Sequence, residues 1–182
     1  MFERSRSAYG AKILRKRLLK SAALAAVLVL TAGGAAAGIR AWNDSADADK
    51  RELRTLWDEG AYEDTLALSH SGLSKRPMDP FLLIVYGFSS YQLAMGQINT
   101  QDSLGYLDEC IWSLRKALLT RAGAKDKRIP YVLGKAYFHK GSSYADLSVQ
   151  YLELARESGY AAADLAEYLG LAYAAPQDYR NR

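Results

Sequence analysis

The phrase Leu133-Gly134-Lys135-Ala136-Tyr137 returns as Leu169-Gly170-Leu171-Ala172-Tyr173, 36 residues further along the chain. Recurrence at such an interval constrains the fold strongly. It marks an array of copied supersecondary units, each burying its apolar face against the next. Within each copy the glycine lacks a Cβ where two helices are expected to press together. Tyr137 and Tyr173 lie three residues beyond the glycines, on the same helical face. Gly141 then opens a turn, and Tyr144 is expected to pack back at the start of a partner helix. In the second copy Gln177-Asp178-Tyr179 stands where Gly-x-Tyr would be.

Earlier segments follow the same grammar. Residues 59–77 contain a turn glycine (Gly60), a packing tyrosine (Tyr62), a helix over Glu63–Leu73, and Pro77, which cannot continue a helix. Residues 79–93 supply another first helix, with Asp79 as N-cap, Pro80 at the first helical position and Tyr86-Gly87 for the Leu-Gly pair. Matching second helices lie at 102–119, with Cys110, Leu114 and Ala117 on the small-residue face, and at 148–159, with Ser148, Leu152 and Ala155. About ten extra residues, Ala94–Ser103, part the two helices of this second unit and predict either a long loop or longer helices.

Phased helix pairs near a 34-residue period resemble the tetratricopeptide repeat (TPR). The resemblance covers residues 47–182 and implies an all-α fold, an α-solenoid of antiparallel helix pairs with about three and a half repeats. The first repeat departs from the pattern, with Glu52-Leu53 for Leu-Gly, as expected of a capping repeat. The last repeat is left without its second helix at Arg182. That pattern reads either as a solvating cap over Asp164–Ala175 or as a truncated sequence.

The formal charge of +4 is unevenly placed. Residues 1–20 hold seven basic side chains against Glu3, while the remainder holds 17 basic and 19 acidic residues. The body of the chain therefore offers no basic excess for nucleic acid. Ser21–Ile39 follows, 19 residues without a charge. As a helix it would span about 28 Å, close to a bilayer's hydrocarbon thickness. The basic residues 1–20 ahead of it predict a cytoplasmic N-terminus, a transmembrane helix or signal anchor at 21–39, a linker at 40–46, and a helical domain on the extracytoplasmic (periplasmic) side of the cell membrane. Ala35-Ala36-Ala37 also fits a signal-peptide cleavage site, which would export the same domain.

No catalytic signature such as HExxH, GxSxG or a P-loop occurs, and the sequence reads as that of a non-enzyme without cofactor or metal. Cys110, alone in the chain, reads as a small side chain on a helix. His139, at a helix end, reads as solvated or carbonyl-bonded. Asp44, Asp47 and Asp49 lack the glycine and distal Glu of a calcium loop and read as a hydrated linker.

What remains is a surface. The TPR resemblance implies that the first helix of each repeat lines a concave face. The residues flanking the packing stripe there are Arg54, Trp57, Phe81, Ile84, Phe88, Tyr91, Arg128, Tyr131, Lys135 and Phe138. Aromatic groups interleaved with basic ones suit a protein or peptide carrying acidic residues. The chain is thus expected to be a membrane-anchored interaction scaffold or adaptor of bacterial type, acting in an envelope complex. The alternatives are a self-association module and an accessory enzyme domain.

Overall fold

Glycine, proline and one aspartate punctuate the helices. Helix α1 runs over residues 49–58 and ends at Gly60, whose φ of 74° reverses the chain. Tyr62 then meets Trp57 edge-on, with ring centroids 5.2 Å apart, and opens α2 (Tyr62–Lys75). Asp79 caps α3 (Pro80–Gly96), its carboxylate accepting from the Phe81 N–H at 2.9 Å and the Leu82 N–H at 3.3 Å. Pro80 occupies the first helical position, where no amide proton is needed. Arg76 joins this corner to α1 by pairing with Asp49 at 3.1 Å.

Helix α4 is Thr100–Leu118, and α5, Arg128–His139, follows a short 3₁₀ turn at Gly123–Lys125. Gly141 (φ 106°) and a 3₁₀ turn at Ser142–Tyr144 lead into α6 (Ala145–Glu157). Helix α7 spans Leu165–Ala174. The structure, a computed structural model, describes residue 47 and residues 49–175; the latter lie in a unit beginning at Asp49. Among the described residues there are seven α-helices and no strand.

The extra residues of the second repeat lengthen its helices rather than forming a loop. Helices α3 and α4 have 17 and 19 residues and are joined only by residues 97–99. The Asn99 side chain accepts from the Gln101 N–H at 2.9 Å, and the Ser103 hydroxyl donates to the Ala94 carbonyl at 3.0 Å. Both contacts satisfy backbone groups that helix ends leave unpaired.

Contacts fix the directions of the helices. Ser113 donates to the Leu83 carbonyl (2.7 Å), and Tyr86 to Glu109 (2.8 Å), while Ser103 meets Ala94. Residue numbers rise on α3 as they fall on α4, so the pair is antiparallel. Between odd-numbered helices numbers rise together: Arg54 meets Phe81 and Trp57 meets Phe88. Likewise Tyr131 bonds Asp164, and His139 lies by Tyr168. The odd helices therefore form one parallel layer, and α2, α4 and α6 pack against it. Leu82, Leu83, Leu114, Ile129, Leu133 and Leu152 are fully buried between the layers. Cys110 is buried with them, and that burial pushes its thiol up.

Glycine makes the close approaches. A Cβ on Gly87 would lie 2.6 Å from Leu114, and one on Gly134 2.5 Å from Leu152. Ser148 adds a buried hydrogen bond to the Gly134 carbonyl at 2.9 Å. Gly170 departs from expectation: apart from its chain neighbours and its own helix backbone, no described atom lies within 4 Å of its Cβ position. Tyr173 also differs, being 55% exposed where Tyr137 is 3% exposed. The reason is common to both. No described helix covers the outer face of α7.

Two further readings are corrected. Asp47 and Asp49 are helical rather than part of a linker, and Asp49 is held by Arg76. His139 is half-buried, with its Nε2 3.2 Å from the Tyr168 hydroxyl and its ring 6.2 Å from that of Tyr91. Burial, then the nearby Lys135 charge, lowers its pKa. No helix among the described residues is long and apolar enough to cross a membrane. The expected tail (1–20), span (21–39) and linker (40–46) lie outside the described residues.

Candidate functional site

The ten residues expected to line a binding face fall into two clusters on the odd-helix layer. Six of them converge from three helices: Arg54 and Trp57 of α1, Phe81, Ile84 and Phe88 of α3, and Arg128 of α5. Together with Leu53, Asp58 and Val85 they line a pocket of about 470 Å³. Helical spacing explains the α3 contribution, since positions 81, 84, 85 and 88 fall on one face.

The pocket has an apolar floor and a charged rim, on which Arg54 and Arg128 stand with the carboxylate of Asp58. Trp57 and Phe88 have ring centroids 6.3 Å apart. The Arg54 guanidinium lies 5.5 Å from the Phe81 ring centre, and that of Arg128 lies 5.3 Å from Phe88. Arg128 is also forked onto Asp126, with contacts of 2.9 and 2.6 Å. Burial works to raise the Asp126 carboxyl, and hydrogen bonds from Arg128 overcome it, leaving it below the usual carboxylate range. Arg54 makes no ion pair among the described residues. A flat cation on an aromatic ring keeps its outward N–H donors available for a carboxylate. Such a pocket can take an apolar side chain and an adjacent acid.

Tyr91, Tyr131, Lys135 and Phe138 form the second cluster, joined by three residues the sequence reading had not placed there. These are His139, Asp164 and Tyr168. The Lys135 Nζ lies 2.8 Å from Asp164 Oδ2 and 3.1 Å from the Tyr131 hydroxyl. It stands 4.4, 5.0 and 5.7 Å from the ring centres of Tyr168, Tyr131 and Tyr91. Tyr131 donates a second hydrogen bond to Asp164. Burial, with that bond, pushes the Tyr131 phenol up to about 12. Desolvation acts to lower the Lys135 pKa, but its bonds to Asp164 and Tyr131 hold it above the ordinary value.

Lys135 therefore already has a carboxylate partner, and a ligand acid would have to displace Asp164. Tyr91 is 8% exposed and belongs to the core. Phe138 meets Tyr168 edge-on at 5.3 Å and joins α5 to α7. Asp164 was discoverable only as a helix-start residue. Its 29-residue separation from Lys135 follows no local spacing rule.

These features define a two-layer helical array with an aromatic pocket, rimmed by charged side chains, on its odd-helix face. The sequence matches no protein-family model and no curated protein.

Proposed function

We propose that this chain is a membrane-anchored interaction scaffold whose helical domain, a TPR-type α-solenoid, binds a protein or peptide segment in the odd-helix pocket. One observation carries the reading. Six of the ten side chains that the repeat resemblance puts on one face, spread from residue 54 to residue 128, line one pocket. The apolar floor suits a hydrophobic side chain, and the exposed Arg54 suits an acid beside it. The antiparallel α3/α4 and α5/α6 pairs, each closed by a glycine facing a leucine, support the repeat assignment. The uncharged Ser21–Ile39 run and its basic flank support an anchor with the helical domain outside the cytoplasm.

Affinity capture from a cell envelope tests the binding role. The full chain should retain a partner that a Trp57→Ala/Phe81→Ala variant loses. Equal recovery by both would place binding elsewhere. A reporter fused after Arg182 that works only in the cytoplasm would overturn the topology.

Self-association is the second reading. It is favoured by two apolar side chains of α7, Leu171 and Tyr173, which are 48% and 55% exposed on different sides of the helix. An elution volume independent of dilution, at the monomer position, would exclude it.

A further inference from the structure

We propose that the even-helix face carries a second binding site, one that accepts an arginine side chain presented by a protein partner. A cleft of about 490 Å³ opens between α2 and α4, with His70 on one wall, Trp112 and Glu109 on the other, and Tyr86 of α3 between them. It is separate from the odd-helix pocket and shares no lining residue with it. Either site can therefore fail without the other.

The chemistry of the cleft selects a cation. The Tyr86 hydroxyl donates to Glu109 Oε2 at 2.8 Å, which orients the carboxylate and leaves Oε1 to accept from a guest. Glu109 has no basic partner among the described residues, whereas the neighbouring Asp108 is already paired with Lys140. Trp112 is 52% exposed, an indole kept at the surface of an otherwise polar helix face. Lys116 Nζ lies 4.7 Å from the centre of that indole, so the chain's own cation already occupies it.

The wider charge pattern agrees. Helices α2, α4 and α6 carry eight acidic and four basic side chains, giving the layer a net negative field. A guanidinium fits these features better than an ammonium does. It is flat enough to lie on Trp112 and carries a fork of donors for a carboxylate. Lys116, a flexible side chain at the end of α4, is the internal competitor that such a guest displaces.

The test titrates N-acetyl-arginine methylamide into the ¹⁵N-labelled full chain in detergent and follows the indole N–H signals of Trp42, Trp57 and Trp112. Trp112 should shift saturably, and the neutral isostere N-acetyl-citrulline methylamide should leave it in place. Glu109→Gln keeps an acceptor for Tyr86 yet should weaken the arginine probe about fivefold. Lys116→Met removes the competitor and should strengthen it. The proposal is overturned if arginine leaves Trp112 unmoved, if citrulline shifts it equally, if Glu109→Gln binds as well as the wild type, or if Lys116→Met fails to bind more tightly.

Discussion

Leu152 stands 2.5 Å from the point that a Cβ on Gly134 would occupy, yet the corresponding point on Gly170 meets no described side chain or neighbouring helix within 4 Å. Two glycines in one repeated phrase thus have opposite tolerance. Gly134→Ala forces Leu152 and its backbone aside and should cost about 1–3 kcal/mol. Gly170→Ala replaces glycine in an open helix interior and should stabilise by about 0.5–1 kcal/mol. Urea denaturation of the two variants checks both signs. Equal effects would mean that α7 is covered like α5.

Arg54 and Tyr91 separate binding from folding. Arg54 is exposed and contacts the Phe81 ring, so Arg54→Glu should shift stability by no more than about 0.5 kcal/mol while weakening capture of an acidic partner. Tyr91 is buried beneath Lys135, and Tyr91→Ala should cost about 3 kcal/mol. Thermal melts paired with the capture assay distinguish the two outcomes.

The Lys135–Asp164 pair makes stability depend on acid pH. Partial burial works to raise the Asp164 carboxyl, and hydrogen bonds from Lys135 and Tyr131 overcome it, holding it below its ordinary value. The unfolded chain therefore takes up this proton at a higher pH than the folded one. The contribution is present above the unfolded value of about 3.9 and is lost as pH falls through the lower folded value. Wild type should lose more stability than Asp164→Asn between about pH 5 and pH 2. Parallel losses would show that the pair opens in solution.

Ser113 and Ser148 bridge their helix pairs by buried hydrogen bonds to the Leu83 and Gly134 carbonyls. Replacing either by alanine should cost about 1 kcal/mol. Hydrogen exchange should rise in both helices of the pair concerned. A change confined to the substituted helix would argue that the bond does not join them.

Much of this fold was legible because its signals are local. Gly60 and Gly141 adopt the left-handed backbone that reverses the chain, and Asp79-Pro80 satisfies the start of α3 within three residues. The Gly134 notch was legible too, since helical period alone places it on the face that Tyr137 shares. Six pocket residues followed from that phase together with the repeat resemblance.

The three-dimensional packing decided which of those positions are free. Lys135 and Tyr91 were expected in an open groove, but α7 brings Asp164 and Tyr168 onto Lys135, and Tyr91 lies inside. Gly170 repeats the Gly134 phrase without its packing, because a notch acquires meaning only from the helix that fills it. The cleft beside Glu109 joins α2, α3 and α4 residues that no sequence period relates. Sequence by itself determined the helices, their turns and their faces, since these depend on neighbours within about one helical turn. Tertiary structure decided the charge partners and the exposed faces, since contacts between distant helices set desolvation and pairing.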